Sequence, residues 1–353
     1  MLIGACGFGS TGSSVVSDYL KEYDDISVID DLEFTWVYMT DGLIDLERAV
    51  MHPHGRTSDS ITAIRRFIEL AEKKKHSYER HGISEKLFMA SVHKLIDSIT
   101  QVKWNWYKGD NYRIRSSKFA KTIMIKKVIP KIEKKKGRQI KSWPMEEVRF
   151  SVMPENFYKA AKTHVREMLK AARADLSKPL VLDQPFSGNN PQACFPFYDD
   201  PYAIVVDRDP RDNYVFANTR LLGRNHFMPV SPVEDFIEYY RRLRDDQPYK
   251  NGDKRVFSLQ FEEMVYEYDA TTKKLRDFLG LPENPHPKSI FDPSLSIANT
   301  QVYKRFPQYA EDIKKIEEAL PEYLFDFSKY PEPDKNAKMF FGKSPLNSGK
   351  KKV

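Results

Sequence analysis

The chain has 353 residues, 41% hydrophobic and 13% aromatic, which is enough to bury a large core and too apolar for a disordered chain. No apolar run approaches the ~20 residues that span a bilayer, and the two cysteines, Cys6 and Cys194, support neither a disulfide framework nor a zinc pattern. The formal charge is +7, yet twelve Lys and Arg face Glu133 alone between Arg113 and Lys141, leaving about −4 elsewhere; the basicity therefore marks one local site for something anionic and argues against a nucleic-acid-binding surface.

In chain order, the apolar run LIGA at 2–5 reads as a buried parallel strand, and a helical pattern over 13–22 follows the loop after it. ISVI at 26–29 is a second strand. About 150 residues then intervene, with helical spacing at 58–75, 84–99 and 154–174, before a third strand, PLVL, at 179–182. A compact core does not need so long a gap, so it is expected to be an inserted helical region, about 45–175, over the substrate side. YAIVV at 202–206 is a fourth strand, and the alternating RVFSL at 255–259 a less regular fifth. Helices are expected at 211–222, 232–244, 271–279 and 307–319. Strands alternating with helices give an α/β fold: a P-loop-like parallel sheet flanked by helices, with a large helical insertion between strands two and three. The expected organisation is one domain over 1–345 and a basic tail over 346–353, in the cytoplasm.

The loop Gly7-Phe8-Gly9-Ser10-Thr11-Gly12-Ser13-Ser14 fits G-x-x-x-x-G-x-[ST] with the lysine replaced by Ser13. Glycines let backbone N–H groups converge, and a helix N-terminus adds partial positive charge, so Gly9, Ser10, Thr11, Gly12, Ser13 and Ser14 are candidate phosphate ligands. The missing lysine counts against ATP hydrolysis and against a kinase, where that charge reaches the β- and γ-phosphates. His52 and His54, in MHPHGR, form a loop pair, and two histidines without a third ligand do not make a metal site.

The run AIVVDRDPRDNYV, 203–215, ends a strand in Arg208-Asp209-Pro210-Arg211-Asp212 before a helix. With the first loop, Leu182-Asp183-Gln184-Pro185, Gln260-Phe261-Glu262-Glu263-Met264-Val265 and Phe278-Leu279-Gly280-Leu281, it resembles the sulfotransferase family, nearest to its carbohydrate branch. That family uses 3′-phosphoadenosine-5′-phosphosulfate (PAPS) as sulfuryl donor and needs no metal. The resemblance implies that residues 10–14 hold the 5′-phosphosulfate and Arg208 the 3′-phosphate, with Lys304 and Arg305 in a late basic segment that helps hold the nucleotide. It also implies Glu33, 23 residues beyond Ser10, as general base, with Asp183 as second carboxylate and His54 as the alternative from the small-molecule branch. The chain departs from the family at Ser10, where Lys or Arg is usual, at Phe216, where a serine is usual, and at Gln184, where lysine is frequent. The acceptor implied is a hydroxyl of a carbohydrate or another small molecule, including a glycan or lipid-linked glycan. The alternatives are a nucleotide-dependent kinase and a nucleotide-binding relative without catalysis. Trp104, Trp106 and Tyr107 precede lysines over 118–136 that alternate with apolar residues. That stretch reads as a solvated helix on the core, a cationic lid over the acceptor, or a helix on an anionic membrane surface.

Overall fold

The computed structural model describes residues 1–52, 55–107, 145–220, 228–245 and 252–334. The basic stretch 113–141, the tail 346–353 and His54 lie outside them. Seven strands are described: β1 (Leu2–Gly7), β2 (Ser27–Glu33), β3 (Val102–Tyr107), β4 (Met145–Phe150), β5 (Leu180–Asp183), β6 (Pro201–Asp207) and β7 (Val256–Gln260). The main helices are α1 (Ser14–Leu20), α2 (Leu43–Met51), α3 (Thr57–Arg80), α4 (Glu85–Ile99), α5 (Phe157–Ala171), α6 (Pro210–Arg220), α7 (Val233–Asp245), α8 (Phe261–Tyr266), α9 (Tyr268–Leu279) and α10 (Ala310–Ala319). No described helix is long and apolar enough to cross a membrane. The chain divides into two compact units, one of Met1–Tyr38 with Ala172 onwards and one of Met39–Ala171.

The first unit is the α/β fold expected: a parallel sheet in the order β2–β5–β1–β6–β7, flanked by helices. β1 is central, which is why it reads as an unbroken apolar run. Ile3, Ala5, Val181, Ile204, Val206 and Leu259 share one face and pack under Val15, Val16, Tyr19 and Leu20 of α1 and under Phe261, Met264, Leu275 and Leu279 of α8 and α9. Gly280, at φ +66°, stops α9 in the left-handed conformation that glycine adopts without cost. Buried Glu22 ties in the segment beyond it: Oε1 accepts the N–H groups of Ile290 and Phe291, both at 3.0 Å. A second core joins α6, α7 and α10 through Val215, Phe236, Tyr240 and Ile316.

The second unit is the insertion between the second and third strands of the sheet, and it is not wholly helical. α2 to α5 accompany an antiparallel hairpin in which β3 pairs β4 from Val102↔Phe150 to Tyr107↔Met145. The alternation V-K-W-N-W-Y carries the period-two signal of a strand. Trp104 and Trp106 stack, centroids 6.0 Å apart, while the cross-strand pair Lys103 and Arg149 both reach Asp97 at 3.1 and 2.8 Å. α5 is shorter than the expected 154–174, and α10 starts only after a 3-10 turn over Pro307–Tyr309.

The opposite face of the sheet constrains Gly4. A Cβ there would lie 2.4 Å from the ring of buried Phe186, which itself packs edge-on against Phe195 and Tyr198. Gly4→Ala should therefore overpack the centre of the sheet and cost ~1–3 kcal/mol. Urea denaturation of the two proteins checks this, and an unchanged midpoint would show that the ring gives way freely.

Candidate functional site

All the sheet residues singled out by sequence stand at carboxyl ends of strands, where open α/β sheets bind ligands. β1 ends at Gly7 and the loop turns through Gly9, Ser10 and Gly12 at φ +86°, +54° and +86°. Position 12 admits only glycine: besides its φ, a Cβ would meet the Phe261 ring at 2.7 Å. Ser10 holds a left-handed conformation that costs a non-glycine residue ~1–2 kcal/mol, so other contacts must hold it there. The loop is braced from within, from α6 and from the turn after β5. Thr11 Oγ1 accepts the Phe8 N–H at 3.3 Å, Asn213 Nδ2 donates to the Gly9 carbonyl at 3.0 Å, and Gln184 Nε2 donates to Ser13 Oγ at 2.8 Å. Among the described residues no backbone hydrogen bond takes up the amides of Gly9 to Ser13. They are donors available to an anion.

Arg208 meets this loop. Its Nη1 donates to the Ser10 carbonyl at 3.4 Å and its Nη2 to the Asn299 carbonyl. The guanidinium is buried, lying 3.9 Å from the centre of the Phe216 ring and 4.9 Å from that of Phe261. Nε alone has no hydrogen-bond partner. Burial lowers the arginine's pKa, opposed by the carboxyls of Asp212, Glu262 and Asp209. Burial also pushes Glu262 well above the carboxylate range, and pushes Asp212 up to about 6 against the pull of Arg208. The rest of R-D-P-R-D is structural. Asp209 Oδ1 caps α6 by accepting the Arg211 N–H at 2.9 Å, and Pro210 begins the helix at the position where a missing N–H costs nothing. Arg211 is consumed by Asp209 at 2.7 Å and Glu317 at 2.9 Å, so its charge is not available to a ligand.

The two carboxylates also come together. Glu33 lies opposite Asp183 in the β2–β5 ladder, after a register shift that follows Ile29↔Leu182. Glu33 is exposed, and Asp183 is half-buried. Burial first, then the negative charges of Glu33 and Asp30, raise Asp183 to about 7, with Lys21 working in the opposite direction. Lys21 is itself held by Asp30 at 2.5 Å and Asp18 at 3.0 Å. A carboxylate of this kind is a base matched to neutral pH. Tyr38 shares the neighbourhood; burial, with Cys6, Cys194 and the two carboxylates, raises its phenol.

Other candidates contribute less. Lys304 is engaged by Gln301 at 2.9 Å and Glu332 at 2.7 Å, and Arg305 donates to the Ala298 carbonyl at 2.8 Å. The segment touches the site through its backbone: Asn299 accepts from Arg208, and the Tyr303 N–H donates to Asp212 at 3.1 Å. His52 belongs to the second unit and His54 is outside the described residues. His76, Glu79 and Glu85 converge within 4.8 Å, but Lys75 already holds Glu85 at 2.9 Å. Sequence reasoning missed Arg244. Its guanidinium grips Asp207 through two 2.7 Å bonds and lies 4.1 Å from the Phe8 ring, fixing the start of the loop. Nothing in its helical surroundings signals that reach.

No family model matches the chain, and no curated protein is significantly similar to it. Among solved structures it is similar to a sulfotransferase domain from the curacin biosynthetic pathway, at 12% identity over 95% of this chain and 94% of that one, with a TM-score of 0.34. It is also similar to the sulfotransferases STF1 of Mycobacterium tuberculosis (12% identity, 91% and 76%, TM-score 0.35) and STF9 of Mycobacterium avium (13% identity, 92% and 76%, TM-score 0.36). Likeness at this level assigns no role to any residue.

The raised Asp183 links stability to pH. Unfolded, the carboxyl ionises near the ordinary aspartate value of 3.8; folded, it holds its proton to about 7. Between these values the native state binds more protons, so this group's contribution to stability falls as pH rises and levels off above about 7. Asp183→Asn should therefore stabilise the chain at pH 8, by an amount on the order of 4 kcal/mol, and progressively less toward pH 4. Thermal melts of both proteins across that range test it; a constant difference would mean that Asp183 does not titrate there.

Proposed function

We propose that the chain is a sulfotransferase moving a sulfuryl group from PAPS to a hydroxyl of a carbohydrate or other small acceptor. The observation that carries this reading is the contact between Arg208 and Ser10. It joins the two nucleotide-gripping segments read from sequence, and β1 lies in the sheet between the strand bearing Arg208 and the strand bearing Asp183. A phosphate loop and a neutral-pH carboxylate on adjacent strand ends are the parts that sulfuryl transfer to a hydroxyl requires.

The residues fit the donor unequally at its two ends. The amides of Gly9 to Ser13 suit a phosphosulfate. For the 3′-phosphate, Arg208 has one unpaired N–H, at Nε, which is sealed from solvent and must turn outward to reach a ligand, and the neighbouring Asp212 and Glu262 resist a second phosphate unless protonated, a form their burial favours. When bound, the donor supplies the sulfuryl group and a good leaving group, adenosine 3′,5′-bisphosphate. The chain's own contribution is general-base catalysis and alignment. Asp183 takes the acceptor hydroxyl's proton as the acceptor oxygen bonds to sulfur and the bond from sulfur to the phosphate oxygen breaks. Glu33 keeps that carboxylate basic, and Gln184 holds Ser13 so that the loop amides stay convergent. Relative to the sequence expectation, the base is Asp183 and Glu33 its charged neighbour.

One arrangement favours a second reading, a nucleotide-binding relative without turnover. The loop lacks its cation at Ser10, and Arg208 is stacked on Phe216, where a small hydroxyl residue would leave the guanidinium open. Thermal shift separates the readings. Adenosine 3′,5′-bisphosphate at one hundred times its dissociation constant should stabilise the fold by about 2.7 kcal/mol, whereas ATP with Mg²⁺ should not. Stabilisation by ATP with Mg²⁺ alone would replace the proposal with a kinase. With PAPS and a saccharide panel, Asp183→Asn should lower kcat about 10²–10⁴-fold and keep bisphosphate binding. Binding without transfer by the unaltered chain would select the silent relative.

A further inference from the structure

Two carboxyls share the charge of Arg208, and both are poorly served. Asp212 stands in the first turn of α6 and Glu262 in the first turn of α8, and both are fully buried. Asp212 Oδ1 accepts the Tyr303 N–H at 3.1 Å, and Glu262 Oε1 accepts the Asp209 N–H at 3.2 Å. The other oxygens, Oδ2 and Oε2, are sealed from water and accept nothing. The hydrogen bonds of Arg208 go to the carbonyls of Ser10 and Asn299, so its charge acts on the two acids only through space. The remaining charges nearby are already matched. Arg211 meets Asp209 at 2.7 Å and Glu317 at 2.9 Å, and Arg244 meets Asp207 through two 2.7 Å bonds. Burial raises the phenols of Tyr240 and Tyr303, which keeps them uncharged. Two carboxylates against one guanidinium would therefore leave a net negative charge out of reach of water, and a buried acid so placed takes a proton instead.

We propose that Asp212 and Glu262 hold one proton between them at neutral pH, and that an anion drawing Arg208 outward makes the pair take a second proton from solvent. The first proton leaves one carboxylate against one guanidinium. When the guanidinium turns to a ligand, that carboxylate loses its counter-charge, and no water reaches its sealed oxygen to replace it. Burial sets the order of the two acids, with Glu262 well above the carboxylate range and Asp212 at about 6, restrained by Arg208. The proton belongs to the pair, since the charge of Asp212 bears on Glu262. Anion binding at Arg208 thus tightens as pH falls and levels off below about 6, where the second proton is already in place. The first proton is independent of the sulfotransferase reading; the second rests on it for the identity of the anion.

Infrared spectroscopy of the full chain at pH 8 tests the first proton, because a protonated carboxyl has a carbonyl stretch that carboxylates lack. Asp183 is ionised at that pH. One such band should appear, and both Glu262→Gln and Asp212→Asn should abolish it, since whichever acid remains then ionises against Arg208. An acid protonated by its own burial alone would keep its band in Asp212→Asn. The second proton is tested on Asp183→Asn, so that the other raised carboxyl of the site cannot contribute. Saturation with adenosine 3′,5′-bisphosphate should add a second band of equal area, and Kd should rise about tenfold from pH 7 to pH 8. The proposal is overturned by the absence of the band in the free chain, by its survival in Asp212→Asn, or by bound bisphosphate that adds none. A band without any binding of bisphosphate would sink the sulfotransferase reading and leave the shared proton standing. Should an amide variant at 212 or 262 fail to fold, the band of the unaltered chain and its doubling on binding decide.

Discussion

The first unit is organised around one guanidinium removed from water. Burying an arginine costs several kcal/mol unless its N–H groups and charge are met. Arg208 is met from far-separated parts of the sequence: the Ser10 carbonyl, the Asn299 carbonyl, the Phe216 and Phe261 rings, and the charges of Asp212 and Glu262. Tyr240 fixes the same residue from the other side by donating to its carbonyl at 2.7 Å. The loop after β1 therefore has its shape partly because Arg208 needs it. Ser10 can stay left-handed because its carbonyl is the arginine's acceptor.

Two departures from the sulfotransferase pattern become one arrangement in this light. At position 10 the loop offers Arg208 its backbone carbonyl and no competing side-chain cation, and phenylalanine at 216 of α6 offers a ring face. The guanidinium is held toward the protein. The acids around it show the same economy. Glu262 keeps one oxygen on the Asp209 N–H at 3.2 Å and the other unpartnered, and Asp212 keeps one on Tyr303. Removing any one of these groups would leave the others buried without compensation, so they are expected to respond as a unit.

Much of this was legible in the sequence, for identifiable reasons. A central parallel strand is buried on both faces, so LIGA, PLVL and YAIVV announce themselves by composition alone. The glycine loop is legible because positive φ leaves few choices of residue. What could not be read is whatever depends on distance through space. The hairpin of β3 and β4 pairs strands some forty residues apart, and its alternation was outweighed by the lysines between them. Arg208 was found, but not its burial, because the rings that enclose it come from α6 and α8. Arg244 reaches Phe8 from more than two hundred positions away, with no local pattern to betray it.

The carboxylate pair shows how much can turn on register. Ile29 faces Leu182, so a regular ladder would set Asp30 against Asp183. Instead the strand bulges, Glu33 takes that place, and Asp30 turns to Lys21. Bulges beside active sites re-aim side chains, and this one exchanges a neutralised aspartate for an exposed glutamate. With Lys21 drawn off by Asp30 and Asp18, Asp183 is left to its burial and to the charge of Glu33. The slip in the ladder thus adds the charge of Glu33 to the burial that chiefly raises Asp183, and no motif in the sequence encodes it.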